Sequence, residues 1–200
     1  MENSFRITMV SFLTYFILSA MLAPIGIISG PMADHFDQSV SGATRQFAWL
    51  TGGNLIGAII ALFVFEYISL KKLFVLTYGL IALALISFRA VEDLNTVGYI
   101  LAVVGFGSGV GLAGAAVTIS RTYEENRRAS MLVITDACFS IAGFLTSWIA
   151  ALIVAQSLGW SLTYQLLGIV SASIFGLAIF SSFPAVKLAQ TTESIEPWPI

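Results

Sequence analysis

Apolar runs of about twenty residues, repeated six times between charges and Gly/Pro clusters, dictate what this chain can become. A run of that length crosses the hydrocarbon core of a bilayer as a helix, at 1.5 Å per residue over roughly 30 Å. The runs cover about residues 8–30, 47–66, 73–90, 97–120, 129–156 and 162–183. Backbone N–H and C=O groups in lipid need internal partners, so only helices or a closed barrel can span. Ten-residue stretches of alternating polarity are missing, which excludes the barrel. The fold class is therefore an all-α membrane protein with six transmembrane helices. A soluble alternative fails on charge: 58% of the 200 residues are hydrophobic and 10% charged, too few to cover a water-facing surface. A net charge of −2 without a basic stripe excludes a nucleic-acid partner. The lone Cys138 excludes an internal disulfide. The first partner is the lipid bilayer itself.

Lysine and arginine set the orientation. An even number of spans puts both termini on one side, which then collects Arg6, Lys71, Lys72, Arg121, Arg127, Arg128 and Lys187. The other side holds Arg45 and Arg89. Such a bias marks the first side as cytoplasmic. The expectation is a multi-pass protein of the plasma (inner) membrane with both termini inside. The first span exceeds a usual signal-peptide h-region and is read as a retained helix. Residues 1–184 form the bundle, and residues 185–200 read as a hydrophilic cytoplasmic linker or tail. Between spans one and two, residues 31–46 read as a polar outer loop. Trp49 and Trp160 fall near outer interfaces, where an aromatic belt belongs.

The helices divide three plus three. Spans two and five each carry a polar interruption among small residues, Thr51–Gly57 and Thr135–Gly143. That placement suits two inverted three-helix repeats. Glycines four apart share a helix face and admit a neighbouring backbone. Gly105/Gly109 and Gly107/Gly111 do so on span four, Gly53/Gly57 on span two and Gly26/Gly30 on span one. The glycines also make span four bendable.

Six spans, termini inside, a basic link between spans two and three and a Gly-rich fourth span resemble one half of a major facilitator superfamily transporter. The family's pattern in that link is Gly-x-Leu-Ala-Asp-Arg-x-Gly-Arg-Lys. Residues 62–71 keep its acid as Glu66 and its last base as Lys71, and lose both glycines and the middle arginine. Residues 134–143, Trp160 and Ser182-Phe183-Pro184-Ala185 resemble the TsgA-type transporters of the fucose-permease-like branch. The similarity covers nearly the whole chain, as the N-terminal half of a twelve-helix protein. Span four lacks the arginine of many proton-coupled members, and span one has no Asp or Glu. Coupling through those positions is not implied. The resemblance implies secondary active transport, symport included, of a small polar solute such as a sugar by alternating access. A second six-helix half, or a homodimer, is then needed. The alternative is a truncated or split membrane protein that does not transport.

Asp136 is the one carboxylate well inside a span. Facing lipid, it costs at least a few kcal/mol, so it belongs in the bundle interior or in a water-filled cavity. There it serves as a coupling or substrate-binding group, or as a structural acid bonded to a neighbour. Asn54 is the matching amide on span two. Tyr15 and Ser19, with Ser11 a turn below, make a polar stripe on span one, and Ser140 follows Asp136 by one turn. These groups line a cavity or act as interhelical hydrogen bonds. The resemblance gives Glu66, Lys71 and Arg121 a part in an inner gate; otherwise they are ordinary interface charges. His35 with Asp34 and Asp37 lacks the spacing that fixes a metal and reads as solvated loop. No metal site, cofactor, phosphate loop or catalytic pair is expected, so the chain is not read as an enzyme.

Overall fold

A computed structural model describes residues 2–65 and 67–184. Its helices are α1 (Glu2–Leu22), α2 (Ile25–His35), α3 (Val40–Arg45), α4 (Phe47–Val64), α5 (Leu70–Ser87), α6 (Leu94–Thr122), α7 (Glu125–Ala155) and α8 (Leu162–Ile179). A 3-10 turn at Phe88–Ala90 follows α5, and the described residues contain no strand. Six helical segments are long and apolar enough to cross a membrane: Asn3–Leu22, Val40–Val64, Leu70–Ala90, Leu94–Thr122, Glu125–Ala155 and Leu162–Ile179.

The start of α1 meets the end of α8. Asn3 Nδ2 donates to the Ser182 carbonyl at 2.8 Å, and the Ser182 N–H donates back to Asn3 Oδ1 at 2.8 Å. Arg6 donates to the Phe180 carbonyl at 3.2 Å, one of the orphan acceptors at a helix end. The Phe183 ring then stacks on Phe74 with centroids 5.1 Å apart. Both ends of the described chain thus lie at one end of the bundle, called proximal below; the opposite end is distal. The reading of residues 185–200 as a linker concerns residues outside the described ones.

The first span departs from the sequence reading. Helix α1 stops at Leu22, and Pro24 opens a second helix instead of continuing the first. Proline has no N–H to donate within a helix interior, but its carbonyl seats the next helix. Ile27 and Ile28 both donate to the Pro24 carbonyl at 3.0 Å. Residues 31–46 are not a polar loop: α2 runs on to His35, and α3 starts where Ser39 accepts from the Gly42 N–H at 3.1 Å. Their polar side chains are exposed on short helices, which composition alone does not distinguish from loop. The Gly26/Gly30 pair makes no close approach either, since a Cβ at either position would meet nothing within 4 Å.

Helix α6 is the axle of the bundle, and its glycines divide by face as their spacing requires. A Cβ at Gly105 would strike the Leu50 carbonyl oxygen of α4, and one at Gly109 the Asn54 carbonyl. In return, a Cβ at Gly53 would strike the Ala102 carbonyl, and one at Gly57 that of Phe106. Backbone meets backbone along this seam. Gly107, Gly111 and Gly114 instead make room for side chains of α5: a Cβ there would stand 2.9 Å from Ile81, 2.6 Å from the Tyr78 hydroxyl and 3.3 Å from the Phe74 ring, respectively. With its glycines committed to packing, α6 runs unbroken for 29 residues.

Its N-terminus is capped by Asp93, which accepts the Thr96 N–H at 2.9 Å and the Thr96 hydroxyl. Those bonds, the hydroxyl first, hold the exposed carboxyl below its ordinary value of 3.8. A carboxylate lowered by folding contributes stability above its unfolded value and loses it as pH falls through the folded one. The melting-temperature gap between the protein and Asp93→Ala is therefore expected to be open at neutral pH and to shrink below pH 3.8. Paired thermal melts across that range check it.

At the distal end, Trp160 does not sit in an aromatic belt. It is 5% exposed and packs against Phe36 and Phe88, with centroids 5.7 and 5.6 Å away. Phe88 continues to Tyr164 at 5.5 Å, and Tyr164 to Phe47 at 6.2 Å. This cluster ties α2, α4, the 3-10 turn and α8 together. Trp49, at 54% exposure, keeps the exposed position that a belt needs.

Candidate functional site

Helices α4 and α7 are the outlying members of the bundle. α4 rests chiefly on α6, and α7 chiefly on α1. The candidate site lies along the α1–α7 seam. Tyr15 and Ser19 lie on α1 and Asp136 on α7, the two helices that pair along it. Further along, Ser19 Oγ would stand 2.9 Å from a Cβ at Gly143, so α1 and α7 touch closely there. Tyr15 is half-buried and Ser19 buried, while Asp136 and Ser140 are exposed on the bundle surface.

The surface of α7 is divided. Asp136, Ser140, Gly143 and Ser147 follow one another at offsets of four, seven and eleven, which places them on one stripe about 16 Å long. The other flank carries Ile141, Phe144, Trp148 and Leu152 at offsets of three, seven and eleven. Phe144 is 74% exposed and Trp148 58%. One flank is small and polar and adjoins α1; the other is large and apolar. Lipid suits only the second, because a carboxylate in hydrocarbon is costly. Gly143 closes the polar interruption expected on span five, while Ser147 was not expected, although its offset of eleven from Asp136 places it on the same face.

Not every expected residue joins this stripe. Asn54 lies half-buried in the α4–α6 seam, its Nδ2 buried without a hydrogen-bond partner and its carbonyl against Gly109. Ser11 is fully buried and donates to the Ile7 carbonyl at 3.0 Å, so its hydroxyl is already satisfied by its own helix. At the proximal end, Lys71 is exposed in the first turn of α5 and Arg121 in the last turn of α6. Glu66 lies outside the described residues. One contact there was not foreseen: the Tyr123 and Thr8 hydroxyls lie 2.8 Å apart and join the end of α6 to the start of α1.

Comparison with known proteins places this geometry in a family. The family model described as Major Facilitator Superfamily matches residues 6–197. The chain is 31% identical over 194 residues to the TsgA homolog of Citrobacter koseri, covering 96% of this chain and 49% of the relative. It is 31% identical over 194 residues to Protein TsgA of Salmonella newport, with the same coverage. It is 29% identical over 185 residues to the TsgA homolog of Serratia proteamaculans, covering 92% of this chain and 47% of that one. The chain spans about half the length of the curated relatives it matches. Among solved structures, a crystal structure of the nucleoside transporter NupG superposes with a TM-score of 0.74 at 11% identity. The superposition covers 98% of this chain and 48% of NupG, a likeness of fold.

Proposed function

This chain belongs to the Major Facilitator Superfamily, and from that premise we propose that it serves as one six-helix half of a secondary active transporter for a small polar solute, a sugar being the first class to try. The observation that carries the reading is the divided surface of α7. A polar stripe headed by Asp136 has a use only where water or solute reaches it, and the apolar flank beside it marks where lipid begins. Asp136, Tyr15 and Ser140 bind solute or couple it to an ion gradient, as in symport; Ser19 positions α1 against α7, and Asn54 acts from the α4 side.

A second six-helix half closes the cavity against the outlying helices α4 and α7, and the two halves rock about the site between them. Positive-inside bias supports cytoplasmic termini in an inner membrane. Lys71, Arg121 and Glu66 then belong to the inner gate. The second reading is a membrane protein that does not transport.

The test is uptake of a panel of labelled sugars into proteoliposomes under an imposed ion gradient. The chain is reconstituted alone and with a separately expressed C-terminal half of a TsgA relative. Uptake is expected with the second half present and is expected to be lost in Asp136→Asn. Uptake that Asp136→Asn leaves unchanged overturns the role of the stripe. Its absence in every pairing favours the non-transporting reading.

A further inference from the structure

Helix α6 packs on α4 through Gly105 and Gly109 and on α5 through Gly107, Gly111 and Gly114. Among the described residues, α4 and α5 scarcely touch each other. The α6 stripe between those two faces is Phe106, Val110, Ala113 and Val117, at offsets of four, seven and eleven, and it looks into the gap. There an apolar groove of about 210 Å³ has Ile60 and Val64 on one wall, Leu73 and Leu76 on the other, and Phe106 and Val110 between them. Ile68 of the α4–α5 link also lines it, so the groove reaches toward the proximal end. We propose that it holds an acyl chain of an anionic phospholipid, whose phosphate sits at the proximal mouth.

Packing shapes the groove for a chain, and charge at its mouth selects the headgroup. Leu73 and Val110 form a buried floor, while Ile60, Leu76 and Phe106 stand exposed on the rim. Lys72 lies four residues before Leu76, on the same face of α5 and one turn nearer the proximal end, and it is exposed. Lys71 stands beside it in the first turn. Lysines are unfavourable there, because the free N–H groups of a helix start already carry partial positive charge, and α5 has no acid in that turn to offset them. Arg121, four residues past Val117, carries the α6 stripe to the same end. The α4–α5 link holds one acid, Glu66, against these three bases. Tyr67 of that link is exposed, an amphipathic ring of the kind found at headgroup level. A phosphodiester at the mouth meets positive charge from two helices while its chain covers the apolar floor, and basic pockets between spans bind anionic headgroups in this way. A zwitterionic lipid brings its own cation to the same bases and gains less.

The experiment is native mass spectrometry of the full chain released from maltoside micelles, with dioleoyl-phosphatidylglycerol and dioleoyl-phosphatidylcholine supplied in equal amounts. The first bound lipid is expected to be phosphatidylglycerol by at least about tenfold, on a scale of about fivefold per lysine near an anionic headgroup. Lys72→Gln is expected to lower that preference about fivefold, and Lys72→Arg to keep it. Arg128→Gln removes an exposed base from the start of α7, a helix that does not line the groove, and is expected to leave the preference unchanged. Ile60→Trp fills the groove from its exposed rim and should lower occupancy by either lipid severalfold. Helical circular dichroism and melting temperature, expected to match the parent protein, show that each variant remains folded. Equal binding of the two lipids overturns the proposal, as does an unchanged preference in Lys72→Gln, an equal loss in Arg128→Gln or unchanged occupancy in folded Ile60→Trp. Displacement of the lipid by the separately expressed C-terminal half of a TsgA relative would assign the groove to a protein partner and overturn it too. The readout needs no transport, so its failure and that of the uptake assay are distinct.

Discussion

A leucine at Gly105 is expected to open the seam between α4 and α6 and to cost the bundle most of its stability. At this position even a methyl group would strike the Leu50 carbonyl oxygen and stand 2.9 Å from its carbon. The obstacle is backbone, which cannot turn away as a side chain does. Overpacking of an ordinary core costs about 1–3 kcal/mol, and here the whole helix must move. The displacement propagates, because Gly53, Gly57 and Gly109 make reciprocal approaches of the same kind. α4 also has little besides α6 to rest on. Gly26→Ala is the contrasting variant. It fills open space on α2 and is expected to be neutral or stabilising by up to about 1 kcal/mol. Thermal unfolding of both variants in detergent checks the pair: a large drop for Gly105→Leu, none for Gly26→Ala.

Trp160→Ala is the second large effect. The ring bridges Phe36, which caps the end of α2, and Phe88 of the 3-10 turn, and through Phe88 it supports Tyr164 and Phe47. Removing a packed tryptophan typically costs about 3–5 kcal/mol. The loss falls on the distal end, where α2, α4 and α8 meet the loops rather than each other's full length. Trp49→Ala removes a ring of the same size that is 54% exposed, and its effect is expected to be small. Near-ultraviolet circular dichroism should lose its aromatic signal in Trp160→Ala and keep it in Trp49→Ala, with melting temperatures following the same order.

These two cases also show what local sequence carries and what it does not. The six spans were legible because a membrane demands uninterrupted apolar length, and charge ends each run. The faces of α6 were legible because glycines four apart must share a side. Trp160 was not, because its partners lie at residues 36 and 88 and no local period links them. Helices α2 and α3 were missed for a different reason: short exposed helices have the polar composition of loops. Asn54 and Asp136 head similar polar interruptions on spans two and five, yet one is enclosed by α6 and the other is exposed beside α1. Tertiary packing, not composition, separates them. Ser147 could have been found from its offset to Asp136 alone.

A transporter half built on this bundle requires α7 to divide into a flank that meets water and a flank that meets lipid. Cysteine accessibility in intact membranes reads that division directly. On a Cys138→Ala background, Ser140→Cys and Ser147→Cys are expected to react with a charged, membrane-impermeant thiol reagent. Phe144→Cys and Trp148→Cys, one flank away, are expected to stay unlabelled. Equal labelling of all four, or labelling of the Phe144 and Trp148 positions alone, would contradict a water-lined stripe at Asp136 and the transporter half built upon it.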